Sequence, residues 1–135
     1  MSIKSYRDLE VWKKSVQLVT EIYSITTHFP KEEIYGLTNQ IKRCAVSVPS
    51  NIAEGRGKRG TREFIRYLNI AYGSLAELET QLIISCNLGF LSRDVQENYL
   101  NKTAEIARML NGLIHTLELK IPSPKSRILN PESAL

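Results

Sequence analysis

Apolar residues recur at intervals of three and four along four stretches of the chain, and the interruptions between them fall at Phe29-Pro30, Gly55–Gly60 and Leu88–Phe90. That spacing puts apolar side chains on one face of an α-helix. The first stretch carries Leu9, Trp12, Val16, Val19, Tyr23 and Thr26 as a heptad-like seam, with Asp8 as its expected N-cap. Phe29-Pro30 ends it after about Thr27, because proline disfavours helical geometry in the residue before it. A second stripe, Val11, Leu18, Ile22 and Ile25, lies well round the same helix. One bundle interior does not easily cover both stripes, so part of this helix is expected to face another subunit.

The second helix is expected from about residues 32–36 to Glu54, with Leu37, Ile41, Cys44, Val48 and Ile52 as its seam. Ala45, Val46, Pro49 and Ala53 widen the apolar arc to about half the circumference. Pro49 removes an amide that would have bonded to Ala45, which predicts a kink or a break. The third helix is predicted from Thr61 to Leu88 on the repeat Phe64, Leu68, Ala71, Leu75, Leu78, Leu82 and Cys86, with a second stripe of Ile65, Tyr72, Ala76 and Ile83. Asn87-Leu88-Gly89-Phe90 reads as a glycine C-cap followed by a hydrophobic contact. Ser92 caps a fourth helix whose apolar face is Val95, Tyr99, Ile106, Leu110, Leu113 and Leu117. The pattern predicts an all-α, antiparallel up-down four-helix bundle over residues 8–119. An N-terminal lead of residues 1–7 precedes it, and a tail of residues 120–135 with three prolines is expected to be disordered. The excess apolar surface assigns Val46, Pro49, Ala53, Ile65, Tyr72 and Ala76 to an oligomer interface.

Composition adds little until the charges are mapped. Of 135 residues, 42% are hydrophobic and 24% charged, which suits one soluble domain with a single core. The net charge is +4, yet residues 42–66 hold Lys42, Arg43, Arg56, Lys58, Arg59, Arg62 and Arg66 against only Glu54 and Glu63. The basic balance of the chain is therefore concentrated in that segment, the footprint of a polyanion partner. The charged N-terminus has no signal-peptide apolar region and no apolar run reaches membrane-spanning length, so a cytoplasmic location and no membrane partner are expected. Cys44 and Cys86 lie on apolar helix faces, outside any CxxC pair, and read as reduced core residues.

The candidate chemistry is sparse. Gly55-Arg56-Gly57-Lys58-Arg59-Gly60 satisfies GxGxxG in letters, but the dinucleotide fingerprint needs a preceding strand, and here a helix precedes. The glycines instead permit positive φ and a sharp reversal between antiparallel helices. Helix-start amides near Thr61, flanked by Arg56, Lys58, Arg59 and Arg62, suit a phosphate; a solvated loop is the competing reading. His28 and His115 lie on different elements without a third ligand, so no metal or cofactor is expected. Glu77, with Ser74, is placed to meet Asn51 or Glu54 in a polar network, and no nucleophilic constellation points to an enzyme.

Several short segments carry a family resemblance. They are Asp8-Leu9-Glu10-Val11-Trp12, Phe29-Pro30 with Glu33 and Tyr35-Gly36-Leu37, Gln40-Ile41-Lys42-Arg43, Asn51 to Gly57, and Gly73-Ser74-Leu75-Ala76-Glu77-Leu78-Glu79. In this order they resemble the 23S rRNA intervening-sequence proteins over roughly residues 5–118. The resemblance implies a left-handed bundle assembled as a ring, usually a homopentamer. A related branch, the accessory proteins of diversity-generating retroelements, works with a reverse transcriptase and nucleic acid. The family name records gene location, and no catalytic residue transfers.

The function expected from these readings is a non-enzymatic ring that binds RNA or DNA. Arg56, Lys58, Arg59, Arg62 and Arg66 serve as phosphate contacts, with Lys42 and Arg43 secondary. Two other classes compete: a scaffold for a partner protein such as a polymerase, and, more weakly, a small-molecule-binding bundle.

Overall fold

The four periodicities become four α-helices: α1 Glu10–Thr26, α2 Leu37–Gly57, α3 Thr61–Asn87 and α4 Arg93–Glu118. The computed structural model describes residues 5–122, and no strand occurs among them. Each helix packs on the next and α1 closes onto α4, giving the cyclic neighbour order of an up-down bundle. Cross-helix contacts show the antiparallel register directly. As residue numbers rise on α2 they fall on α3, from Ser47 against Ser74 to Gly55 against Tyr67. Across α1 and α4 the same reversal runs from Lys14–Glu105 to Glu21–Lys102.

The core is a single cluster with Leu18, Ile22, Ile41, Val48, Ile52, Leu68, Leu75, Leu78, Leu82, Ile106 and Leu110 almost wholly buried. Fully burying one such side chain contributes about 1.5–3 kcal/mol. In α2, α3 and α4 the expected seams are the core-facing ones, with Leu37, Cys86, Val95 and Leu113 only half-buried at their edges. In α1 the two stripes share the core, Leu9 and Thr26 of the expected seam being buried beside most of the second stripe. Val11, Leu18 and Ile22 fill the core, while Trp12 and Val19 are half-buried and Val16 and Tyr23 exposed. The reason lies in two polar residues of the inner face. Ser15 and Thr26 are buried because their hydroxyls donate to the carbonyls of Val11 and Ile22, at 2.7 and 2.9 Å, which removes the cost of desolvating them.

Helix termini follow local chemistry, with three corrections. Asp8 does not cap α1: its carboxylate accepts from the Ser5 amide at 3.2 Å and closes a 3-10 turn, Tyr6–Asp8, after which Leu9 is the N-cap. The α2 helix continues through Pro49 to Gly57 without a break, three residues beyond the expected end. Only Gly60 of the three loop glycines takes a positive φ, 92°; Gly55 and Gly57 are helical. The other expected caps are present. Ser92 Oγ accepts from the Val95 amide at 3.1 Å, and Gly89 has φ 83° with the Phe90 amide bonded to Ser85 O at 2.8 Å. Phe90 then packs on Phe29, 5.5 Å between ring centroids, tying the two loops at that end together. Residues 1–4 of the expected lead and 123–135 of the expected tail lie outside the described residues.

Candidate nucleic-acid interface

At the end of the bundle opposite Phe29 and Phe90, α2 stops where its amide ladder runs out into Lys58, whose N–H bonds to Gly55 O at 3.1 Å. Gly60 turns the chain in left-handed geometry, and α3 starts at Thr61. The chain reverses in three residues because α2 and α3 are nearly in contact here. A Cβ built on Gly55 would stand 2.6 Å from Tyr67 Cβ and 3.2 Å from Phe64 Cδ1. Absence of a side chain at Gly55 therefore lets the two helices close, which brings Arg56, Lys58, Arg59, Arg62 and Arg66 to one end of the molecule.

Their electrostatic states differ. Arg66 donates to both carboxylate oxygens of Glu63, at 3.2 and 3.4 Å, and its guanidinium lies 4.7 Å from the centre of the Tyr67 ring. The Glu63 hydrogen bond and charge hold the Arg66 pKa above its ordinary value. Lys58 is 3.9 Å from Glu54 and 5.5 Å above the same tyrosine ring. Arg59 and Arg62 are exposed and make no ion pair with the described residues. Arg56 is half-buried. Sequence reasoning missed Tyr67, which serves as a common shelf for Lys58 and Arg66. It also missed Arg7, which the 3-10 turn against α2 carries to this end. The two carboxylates were legible, since Glu54 stands four residues before Lys58 and Glu63 three before Arg66.

Lys42 and Arg43 do not join this group. Thirteen residues of α2 separate Arg43 from Arg56, about 20 Å at the helical rise. Lys42 lies 4.7 Å over the Tyr23 ring, and with Arg43, Asn39, Val46 and Ser47 it lines a shallow groove beside α1. Tyr35, 94% exposed, is at the far end of α2 and gives the basic end no stacking platform.

Around the bundle, polar and apolar faces alternate. The α1/α4 face is crossed by Lys102–Glu21 at 2.9 Å and Lys14–Glu105 at 3.5 Å. Desolvation pushes the Glu21 carboxyl upward, but hydrogen bonds from Gln17 and Lys102 and the Lys102 charge together hold it below the ordinary value. The α2/α3 face carries a polar network in which Ser47 and Ser74 hydroxyls meet at 2.8 Å and Asn51 donates to Ser47 Oγ at 2.9 Å. Ser74 reaches Asn51 through Ser47, and these bonds do not include the expected contact of Glu77 with Asn51 or Glu54. Glu77 lines the adjoining groove with Gln40, Arg43, Cys44 and Ser47, and burial together with the Glu77 charge raises the Cys44 thiol pKa. Ile70 and Ile84 are apolar exceptions on the exposed side of α3.

Of the residues expected at an oligomer interface, Val46 and Tyr72 are each 39% exposed and Ala76 is exposed. Ala53 and Ile65 are half-buried, and Pro49 is buried within the subunit and so drops out of the expected interface. Among the described residues no group of three His, Cys, Asp or Glu side chains could hold a metal ion, and no helix is long and apolar enough to cross a membrane.

The family model described as "23S rRNA-intervening sequence protein" matches residues 7–112. A crystal structure of a protein with unknown function from the S23 ribosomal protein family, from Bacteroides thetaiotaomicron VPI-5482, superimposes with a TM-score of 0.72 at 25% identity. The match covers 78% of this chain and 95% of that one. No functionally curated protein matches the sequence.

Proposed function

The chain belongs to the 23S rRNA-intervening sequence protein family, and from its geometry we propose that it is a non-enzymatic homo-oligomer that binds RNA or another nucleic acid through the α2–α3 end. The observation that carries this reading is the pair Arg59 and Arg62, two exposed guanidinium groups on a three-residue turn and the first turn of α3. With no ion pair to a carboxylate among the described residues, they are available to phosphate. Arg56 and Arg7 add positive charge at the same end, while Lys58 and Arg66 must first exchange Glu54 and Glu63 for phosphate.

One subunit offers too few such contacts for tight binding at physiological salt. Repetition around a ring multiplies them through effective concentration. The supporting observation for a ring is the apolar surface left uncovered on α1, α2 and α3, with Val16, Tyr23, Val46, Tyr72 and Ile83 each more than a third exposed. Five copies, the number the family resemblance implies, would bring ten such arginines together. Contacts of this kind read the phosphate backbone and not base sequence.

Filter binding of a fluorescent RNA and a DNA of matched length across a salt series tests the reading. Affinity should fall steeply as salt rises, and Arg59→Glu with Arg62→Glu should abolish binding while the helical signal is retained. Salt-independent or undetectable binding by the wild type would instead support a scaffold for a partner protein.

A further inference from the structure

We infer that the nucleic acid taken at the basic end is a single strand, with one of its bases stacked on the Tyr67 ring; this rests on the nucleic-acid reading proposed above. Tyr67 is half-buried in the second turn of α3, and its Cβ is fixed against α2 at Gly55. The ring is therefore held on rigid backbone beside the cationic turn. No other aromatic ring among the described residues stacks on it; the ring pairs are Tyr6–Trp12 and Phe29–Phe90. What lies over it is charge, Lys58 Nζ at 5.5 Å and the Arg66 guanidinium at 4.7 Å from its centre. Tyr6, at the same end, repeats the arrangement under Arg7 at 5.6 Å.

The same two cations must leave Glu54 and Glu63 before they meet a phosphate. A phosphate that draws them away uncovers the ring, and does so beside it, where the base of the same nucleotide can follow. The exchange is favourable. A cation over an exposed aromatic ring is worth roughly a 2- to 5-fold factor in an equilibrium constant, whereas a base stacked on one is worth roughly 5- to 150-fold. A duplex does not make this exchange readily, because its bases stack on one another and one must first be pulled out. Arg62, one turn before Arg66, and Arg59 beyond it lie on the path of the adjoining phosphates. Every base has a π-face, so the stack adds affinity for single strands without adding a sequence preference, in keeping with arginines that read only phosphate.

The test is fluorescence anisotropy at one salt concentration with three end-labelled DNA probes of one length. They are an oligothymidine strand, a strand made wholly of abasic sites, and a duplex. The abasic strand keeps the phosphates and lacks the bases. Wild type should bind the intact strand about 10-fold more tightly than the abasic one, and more tightly than the duplex. Tyr67→Leu should erase the difference between intact and abasic strands, and Tyr67→Phe should keep it, with circular dichroism checking the fold. Should the leucine variant misfold, the wild-type comparison of the three probes decides alone. Equal affinity for intact and abasic strands, or tighter binding of the duplex, would overturn the stacked single strand and leave the electrostatic reading standing. Binding to none of the probes would overturn that reading and this inference with it, a separate result.

Discussion

The Cβ of Tyr67 stands where a side chain on Gly55 would have to begin, 2.6 Å from the position an added Cβ would take. Both Cβ positions are fixed by helical backbone, so neither can yield without parting α2 from α3. The whole basic end depends on that approach, since the helices carry Arg56 and Arg62 to it.

Gly55→Ala should therefore destabilise the protein, although alanine is the better helix former by about 1 kcal/mol. Overpacking of this kind costs about 1–3 kcal/mol, and the clash of two Cβ atoms fixed by helical backbone lies at the upper end, above that gain. Gly112→Ala is the control: it is helical, and an added Cβ there meets nothing within 4 Å, so it should stabilise by up to about 1 kcal/mol. Urea denaturation of the two variants should give midpoint shifts of opposite sign.

The cations of the basic end should be unequal in nucleic-acid binding. Arg62→Ala removes an exposed guanidinium that makes no ion pair with the described residues, and should lower the slope of log affinity against log salt by about one contact. Arg66→Ala should cost less, because Glu63 and the Tyr67 ring already hold that group and it must give up Glu63 before it meets phosphate. Equal losses for the two variants in salt-dependent filter binding would contradict the assignment of states.

The Lys102–Glu21 pair gives a pH signature. The Glu21 carboxyl lies below its ordinary value of 4.5 when folded, so its contribution is present above the unfolded value and disappears as pH falls through the folded one. The Lys102 pKa is raised, chiefly by the Glu21 hydrogen bond, so its share is complete at neutral pH and is lost only in strong alkali. Lys102→Gln should cost about 0.5 kcal/mol at pH 7, a value discounted for partial exposure, and the difference should vanish toward pH 3. Denaturation midpoints of both proteins across that range check it.

Thiol reactivity should separate the two cysteines. Cys44 is buried, with its pKa raised by burial and by the Glu77 charge, whereas Cys86 is half-buried at the end of α3. At pH 8 a maleimide should modify Cys86 first, and Cys44 should follow only as the fold opens. Glu77→Gln should speed Cys44 labelling in mildly alkaline solution.

Fold class, helix number and most helix ends were legible because each rests on local chemistry: Ser92 before α4, Gly89 after α3, and Phe29-Pro30 after α1. The inner face of α1 was not. Both of its stripes step by three and four, and Ser15 counts as polar in any pattern, although its hydroxyl bonds to its own helix and can be buried. Asp8 resembles an N-cap by residue type, but Ser5 claims its carboxylate three residues earlier. At the basic end the charges were plain in the sequence, and so was the spacing of Glu54 and Glu63. What spacing cannot give is the contact between helices: the Tyr67 shelf, the closeness at Gly55, and the 20 Å that parts Lys42 and Arg43 from the loop.

The most direct test of the account is the mass of the wild-type protein in solution, by light scattering at micromolar concentration. Uncovered apolar faces predict an assembly of several 15.4 kDa subunits, about five on the family resemblance, that is independent of salt. A monomer of 15.4 kDa would contradict it, and would leave Arg59 and Arg62 as two charges on an ordinary turn.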